Sequence, residues 1–343
     1  MKILKNYDLT KLNTFGVPAR AKYFVEIVSE QELEGLFGLP EFLENKKMIL
    51  GGGSNVLFTK DFDGIVILNK LKGTEILSED SESVTIRSMS GEIWHELVLF
   101  AVNRGYWGIE NLSSIPGSVG AAPVQNIGAY GADLKDVLLH IEAFDVNSGE
   151  KKIFTNDNYK KGYRESIFKN EFKEKYFISA VALRLSKVAK KNLKYRSLSE
   201  YVEKNKIDVG NPLEISKAVT EIRKEKLPDP KVISNAGSFF KNIIINQSKL
   251  DKMLKIYPNM PHFKDEFGIK IPSGWLIEQC GPADGTSWKG KRVGNAGVYE
   301  NHALVLVNHG GATGQEIANL AEQIISSVYQ KFGFKLVPEV NFI

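Results

Sequence analysis

The sequence predicts a mixed helix-and-strand protein of two or three domains, without a doubly wound nucleotide-binding sheet. Three observations carry this reading. At 343 residues the chain is too long for one core of ordinary size. Short runs that alternate as half-buried strands are interleaved with short stretches of helical spacing. The most glycine-dense point, Gly51-Gly52-Gly53-Ser54-Asn55, is flanked by two strand-like runs, Met48–Leu50 and Ile65–Leu68, instead of a strand and a helix.

That glycine run decides which nucleotide folds remain open. Glycines tolerate positive φ and let another group approach the backbone closely. Successive N–H groups in such a turn can form an anion nest, to which Ser54 and Asn55 add hydrogen bonds. A phosphate fits this description, and so does a plain connector between strands. A Walker loop is excluded because no Gly-Lys-Ser/Thr follows. A dinucleotide fingerprint is excluded because Asp61-Phe62-Asp63-Gly64 leads into a second strand, with no helix.

Composition is that of a soluble globular protein, with 43% hydrophobic and 25% charged residues. No apolar run reaches the length of a membrane helix, so no membrane association is expected. Met1 to Asn6 lacks the apolar core of a signal peptide, and the single cysteine, Cys280, rules out intrachain disulfides and cysteine metal sites. A cytoplasmic monomer without a metal is the expectation. The net charge of +4 suits anionic small molecules, with no basic run of the kind that grips nucleic acid. Lys187, Lys190, Lys191, Lys194 and Arg196 read as a solvated face.

Taken in order, Lys22–Val28 reads as a strand, and Ser29 with Glu32 as the capping box of a short helix. Ser83 to Arg87 alternates as a strand. Ile93, Trp94, Leu97, Val98 and Ala101 then fall at helical spacing until Gly105 closes the helix, and His95 among them reads as a capped or solvated histidine. Strands return at Ile141–Val146 and Tyr176–Leu185, with Asn147-Ser148-Gly149 as a hairpin turn. Pro212–Lys226 reads as a helix stopped by Leu227-Pro228-Asp229-Pro230. Ala303–Val307 reads as a strand. Thr313 and Glu316 cap a helix whose Ile317, Leu320, Ala321, Ile324, Ile325 and Val328 form one apolar stripe up to Gly333. Leu336–Val340 reads as a last strand carrying Glu339.

Two stretches stand out against this background. Ile115 to Gly131 is dense in Gly, Ala and Pro yet almost without charge. A solvated linker would carry more charge. The run therefore suits backbone pressed against a large flat ligand, or a buried crossover between lobes. Gly162-Tyr163-Arg164-Glu165-Ser166 places an arginine in a loop between strands, as an anion clamp or as an ordinary surface arginine. Near the start of the last domain, Gly237-Ser238-Phe239-Phe240-Lys241-Asn242 sets a serine beside two phenylalanines, without the G-x-S-x-G of a nucleophile elbow.

These motifs, with Asn13-Thr14-Phe15-Gly16, Lys226-Leu227-Pro228-Asp229-Pro230 and Pro338-Glu339-Val340, occur in an order that resembles the UDP-N-acetylenolpyruvoylglucosamine reductases over nearly the whole chain. The resemblance implies an α+β fold: a two-lobed FAD-binding domain of the vanillyl-alcohol oxidase type plus an α/β substrate-binding domain. The expected bounds are 1–70 and 71–228 for the lobes, 229–334 for the substrate domain and 335–343 for the segment carrying Glu339. It implies noncovalent FAD, NADPH as hydride donor, and reduction of UDP-N-acetylglucosamine enolpyruvate to UDP-N-acetylmuramate in peptidoglycan precursor synthesis. Arg164, Ser238 and Glu339 match the catalytic trio. Gly51, Gly52, Gly53, Ser54, Asn55, Ile115, Pro116, Gly117, Ser118, Gly128, Tyr163 and Arg223 fall at cofactor positions. Tyr130, Tyr195, Lys226, Asn242 and His302 fall at substrate positions, Tyr195 matching the tyrosine that closes over the nucleotide in the longer subtype.

The chemistry suits those residue types. Hydride delivered to the β-carbon of the enolpyruvyl group leaves charge on the α-carbon and its carboxylate. A permanently charged arginine stabilises that anion. Glu339 helps only as a hydrogen-bond donor, and a serine hydroxyl, a very weak acid, suits protonation of a strongly basic carbon. Two positions depart from the family pattern. His302 stands where a glutamine is expected, and Asn341 where a basic residue near the flavin is familiar. The rival readings are an oxidase of the same fold, often with a histidyl flavin link, and a non-catalytic nucleotide-binding regulator. His95, His140, His262, His302 and His309 all lie outside the two flavin loops, against the oxidase.

Overall fold

The computed structural model describes residues 1–155, 159, 164–282 and 285–343. They form two compact units. One comprises Met1–Tyr7, Ala21–Gly52 and Phe62–Glu225, and the other Asp8–Arg20, Gly53–Asp61 and Lys226–Ile343.

The first unit holds two sheets. In the smaller, Arg20–Ile27 and Lys46–Leu50 both run parallel to Phe62–Asn69, and Leu4–Asp8 lies at the edge beside Arg20–Ile27. Residues 65–69 of the central strand are buried on both faces, which is why that strand reads as a continuous apolar run. The helix Glu30–Phe37 packs Leu33 and Leu36 against this sheet. The Ser29 hydroxyl accepts the Glu32 N–H while Glu32 accepts from the Val28 N–H, so the return arm of the capping box falls one residue early.

The larger sheet is antiparallel, in the order Lys151–Thr155, Leu138–Asp145, Tyr176–Ser186, Ser83–Met89, Thr74–Glu79. The helix Trp94–Val102 buries Trp94, Leu97, Val98, Ala101 and Val102 in the core of this sheet. A smaller apolar cluster joins Trp107 to the helices Arg196–Asn205 and Pro212–Lys226 through Leu198, Val202, Ile215, Val219 and Ile222.

In the second unit, Ser234–Ser238, Val305–Asn308, Ala296–Val298 and Arg292–Val293 form an antiparallel sheet. The helix Gly314–Phe332 buries Ile317, Leu320, Ala321, Ile324 and Val328. Thr313 and Glu316 form the expected capping box, and Gly333 ends the helix at φ +67.

Two expected strands shift. The strand drawn over Ala303–Val307 begins at Val305, because the Val305 N–H bonds the His302 carbonyl and residues 302–304 turn. Leu336–Val340 is not a strand. Pro338 has no N–H to donate, and the segment keeps a single bridge, Phe240 to Pro338. The terminal strand is Asn341–Phe342, paired parallel with Val56–Leu57.

Candidate functional site

In the first unit the two glycine-bearing stretches meet. A Cβ on Gly51 would collide with the Ser118 hydroxyl, and one on Gly52 would lie 3.1 Å from the Gly117 Cα. A side chain at either position would force its neighbour to shift, and Gly51, Gly52 and Gly117 together form a bed of partly exposed backbone with little room for side chains. The run 115–131 is more ordered than its composition suggested: Val119–Ala121 is a 3-10 turn, Ala122–Gln125 a short helix with proline in its first turn, and Gly128–Ala129 pairs with Ala132–Asp133. Its middle is buried, and Gly120 packs against Ser90. This burial agrees with the reading of the run as a buried crossover.

Arg164 anchors this segment. Its guanidinium donates to the carbonyls of Asn126, at 3.2 Å, and Gly128, and lies 3.6 Å from an Asp133 carboxylate oxygen. Ser166 donates to the Val124 carbonyl at 2.6 Å, and Tyr159 to that of Pro123. Three side chains thus satisfy four carbonyls of a loop that has little regular secondary structure to do so. Of the seven non-glycine residues at positive φ among the described residues, four belong here: Ser114, Asn126, Tyr130 and Arg164. Such clustering of backbone strain is characteristic of functional sites. Tyr163 lies outside the described residues.

Tyr130 and Tyr195 meet edge to face at 5.2 Å. Asn111, 1% exposed, ties them by donating from one amide to the carbonyls of Tyr130 and Asn192, each at 2.8 Å. Burial raises the Tyr130 hydroxyl above its ordinary value. Arg223 donates through Nε to the Ser114 carbonyl at 3.3 Å and pairs with no carboxylate among the described residues. Burial of its charged head lowers its pKa, and Arg164 adds to this, while Tyr130 opposes it. A half-buried cation with no carboxylate partner among the described residues favours a ligand that brings negative charge. With the glycine bed, it fits a flavin nucleotide.

The second unit assembles the other matching residues. Ser238 is exposed at the end of Ser234–Ser238, past a bulge where the pairing register shifts between Asn235 and Ser238. Gly237 sits at φ +68 within it, its N–H held by Asn235 Oδ1 at 2.8 Å. The next residue, Phe239, accepts at its carbonyl the Glu339 N–H at 2.8 Å, and Lys241 donates to the Val337 carbonyl at 2.9 Å. Glu339 is half-buried, and its carbonyl accepts from Asn55 Nδ2 at 3.2 Å. Asn55 in turn accepts from both the backbone and the side chain of Asn341. Gly53, at φ +63, packs on the Leu12 carbonyl, where any Cβ would collide. Asn242 accepts the Ser273 N–H at 3.0 Å, and His302 Nδ1 that of Leu304 at 3.3 Å. Lys226 is exposed at the end of its helix, and Ser54 is half-buried.

Asp133, Tyr159 and Asn111 escaped the sequence reading: Tyr159 and Asn111 act on backbone carbonyls, and Asp133 faces an arginine 31 positions away, contacts that leave no spacing pattern. Ser166 had a signal, since it sits inside the Gly162–Ser166 motif.

No helix among the described residues is long and apolar enough to cross a membrane, and no group of three or more His, Cys, Asp or Glu among them could hold a metal ion. Comparison with known proteins adds the rest. Residues 229–343 match the family described as UDP-N-acetylenolpyruvoylglucosamine reductase, C-terminal domain, and residues 21–153 match an FAD-binding domain family. A UDP-N-acetylenolpyruvoylglucosamine reductase of Flavobacterium johnsoniae is 46% identical over 100% of both chains, and one of Amoebophilus asiaticus 44% over 100% of both. The crystal structure of the reductase from Thermus caldophilus superposes with a TM-score of 0.65 at 21% identity, over 99% of this chain and 98% of that one, and shows the shared two-lobed FAD-binding and substrate-domain fold. The chain belongs to the UDP-N-acetylenolpyruvoylglucosamine reductase family.

Proposed function

We propose that this protein reduces UDP-N-acetylglucosamine enolpyruvate to UDP-N-acetylmuramate, using NADPH and a noncovalent FAD, in peptidoglycan precursor synthesis, and that it works as a cytoplasmic monomer. One observation above all supports the reading: relatives of this name match the chain end to end, at 46% identity in one case. The flavin is assigned to the glycine bed of residues 51–52 and 115–118, with Gly128 and Arg223, in a cofactor domain made of lobes 1–70 and 71–228. Residues 229–334 serve the substrate.

FAD, when bound, relays a hydride from NADPH to the β-carbon of the enolpyruvyl group. Charge then builds on the α-carbon and its carboxylate. Arg164 offsets that charge; its guanidinium is already oriented by the Asn126 and Gly128 carbonyls, so little reorganisation is needed during reaction. Glu339, fixed through its N–H to Phe239, contributes a hydrogen bond to the same charge. Ser238 delivers the proton that completes the new C–H bond at the α-carbon. Tyr130, Tyr195, Lys226, Asn242 and His302 hold the nucleotide sugar.

The test separates the half-reactions in stopped flow. Bleaching of the flavin by NADPH needs no proton at the substrate, so Ser238→Ala leaves its rate near wild type. Reoxidation by the enolpyruvyl substrate slows by about 10²–10⁴, the range for a lost general acid. Equal slowing of both steps in a variant that melts like the wild type removes Ser238 from this role.

A further inference from the structure

His95 has no part in the chemistry above, yet it sits at the head of a chain of contacts that ends on Arg223. Its Nδ1 accepts the Ser114 N–H at 3.1 Å, so this nitrogen carries no proton. Ser114 is one of the strained residues, at φ +57, where a side-chain-bearing residue persists only if its surroundings hold it. All of its polar groups are engaged. The N–H goes to His95, the hydroxyl donates to Thr220 Oγ1 at 3.0 Å, and the carbonyl accepts from Arg223 Nε at 3.3 Å. Thr220 and Arg223 lie on one helix, Pro212–Lys226, whereas His95 lies on another, Trp94–Val102. Ser114 is thus the joint between them, and the direction of its carbonyl fixes where the arginine head lies.

We propose that His95 is a positioning residue: in its neutral form it locks Ser114 in the left-handed conformation, and through the Ser114 carbonyl it keeps Arg223 aimed at an anionic ligand. The ligand half of this rests on the assignment of Arg223 to the flavin. The contact half stands on the hydrogen bonds alone. Protonation of Nδ1 would replace the acceptor with a donor facing another donor, so acid opens the joint. The groups that set the point of protonation are known. Burial lowers the His95 pKa most, Glu96 on its own helix raises it, and Arg223 on the facing helix lowers it further, for a net fall below 6.5.

The experiment compares His95→Leu, which has no acceptor, with His95→Asn, whose Oδ1 can stand in for Nδ1. In amide exchange followed by NMR on the holoenzyme, the Ser114 N–H and the Arg223 Nε–H exchange faster in His95→Leu and at wild-type rates in His95→Asn. FAD affinity, measured by fluorescence, falls about 2- to 10-fold in His95→Leu, the worth of one hydrogen bond, and recovers in His95→Asn. As pH falls below 6.5, wild-type affinity drops by a similar factor, while that of His95→Asn stays level. Unchanged Ser114 and Arg223 exchange in His95→Leu overturns the proposal, as does an equal loss in both variants. Arg223→Gln is the control. If it binds FAD as the wild type does, the assignment of Arg223 to the cofactor is wrong, and the two exchange rates alone decide the role of His95.

Discussion

Tyr195 shows how a residue that is half exposed can still be fixed. At 49% exposure it has little core to hold it, yet its ring meets Tyr130 edge to face at 5.2 Å. Asn111 fastens the backbone on both sides of that contact, through the Tyr130 and Asn192 carbonyls. The pair is therefore arranged before any ligand arrives, which lowers the entropic cost of binding. Tyr195→Ala should raise KM for the enolpyruvyl substrate about 2- to 10-fold, the worth of an aromatic contact, and leave kcat near wild type. Initial rates over a substrate series measure both constants. A fall in kcat at constant KM would take Tyr195 out of the binding surface. The same scale marks where sequence reading stopped. The sequence picks out Gly51 and Gly52 as a glycine run, and the structure supplies a packing reason, since a Cβ at either would press on Ser118 or Gly117. Tyr159 and Asn111 leave no trace in it, since their partners are carbonyls that every residue carries.

At the scale of elements, the long five-stranded sheet carries a charged network on one face, spanning the strand Tyr176–Ser186 between Arg87 and Glu142. Arg87 clasps Glu142 through two nitrogens, at 2.6 and 2.8 Å, while Lys151 reaches Glu142 and Glu30, each at 2.9 Å. Glu142 is only 8% exposed, and the Arg87 hydrogen bonds outweigh the burial that would otherwise raise its pKa, holding it at about 2 against an ordinary 4.5. A carboxylate whose folded pKa is depressed adds stability that is whole above 4.5 and drains away as pH falls towards 2. The urea midpoint of the wild type should therefore drop between pH 5 and pH 3, whereas Arg87→Gln should start lower and drop less over the same interval. Equal slopes would mean that Glu142 is not the group titrating. Most elements of this sheet were legible beforehand from alternation and from the Asn147–Gly149 turn. In the other unit Leu336–Val340 was misread, although its apolar pattern suited a strand. Pattern records which side chains avoid water, and does not record which strand supplies the ladder; here Pro338 interrupts the pairing, and the strand forms three residues later beside Val56–Leu57.

For the whole molecule the informative feature is how the chain is divided. It passes between the two compact units at 7–8, 20–21, 52–53, 61–62 and 225–226. The domain family matches the continuous stretch 229–343, but the compact unit containing that stretch also takes in Asp8–Arg20 and Gly53–Asp61. These short pieces are structural members of it. Phe15, fully buried, meets Phe239 edge to face at 6.2 Å, and Asn308 donates to the Phe15 carbonyl at 2.8 Å. Asn235 donates to the Thr14 carbonyl at 3.0 Å, so the strand that leads to Ser238 depends on residues more than two hundred positions earlier. Val56–Leu57 is the pairing partner of Asn341–Phe342, and the start of the long helix packs so closely on the Phe58 carbonyl that only a residue without a Cβ, Gly314, fits there. A fragment of residues 226–343 would leave Phe239 without Phe15, the terminal strand without its ladder, and the Asn235 N–H and Asn308 amide without acceptors, costing about 1–3 kcal/mol for each buried polar group left unpaired. That total is a large share of the stability of a domain this size. The fragment should therefore give a collapsed amide spectrum and no cooperative melt, whereas the whole chain gives dispersed signals and a sharp transition. A dispersed spectrum from the fragment alone would show that the two early pieces are dispensable to the unit, and that the serine strand is held by the C-terminal third of the chain by itself.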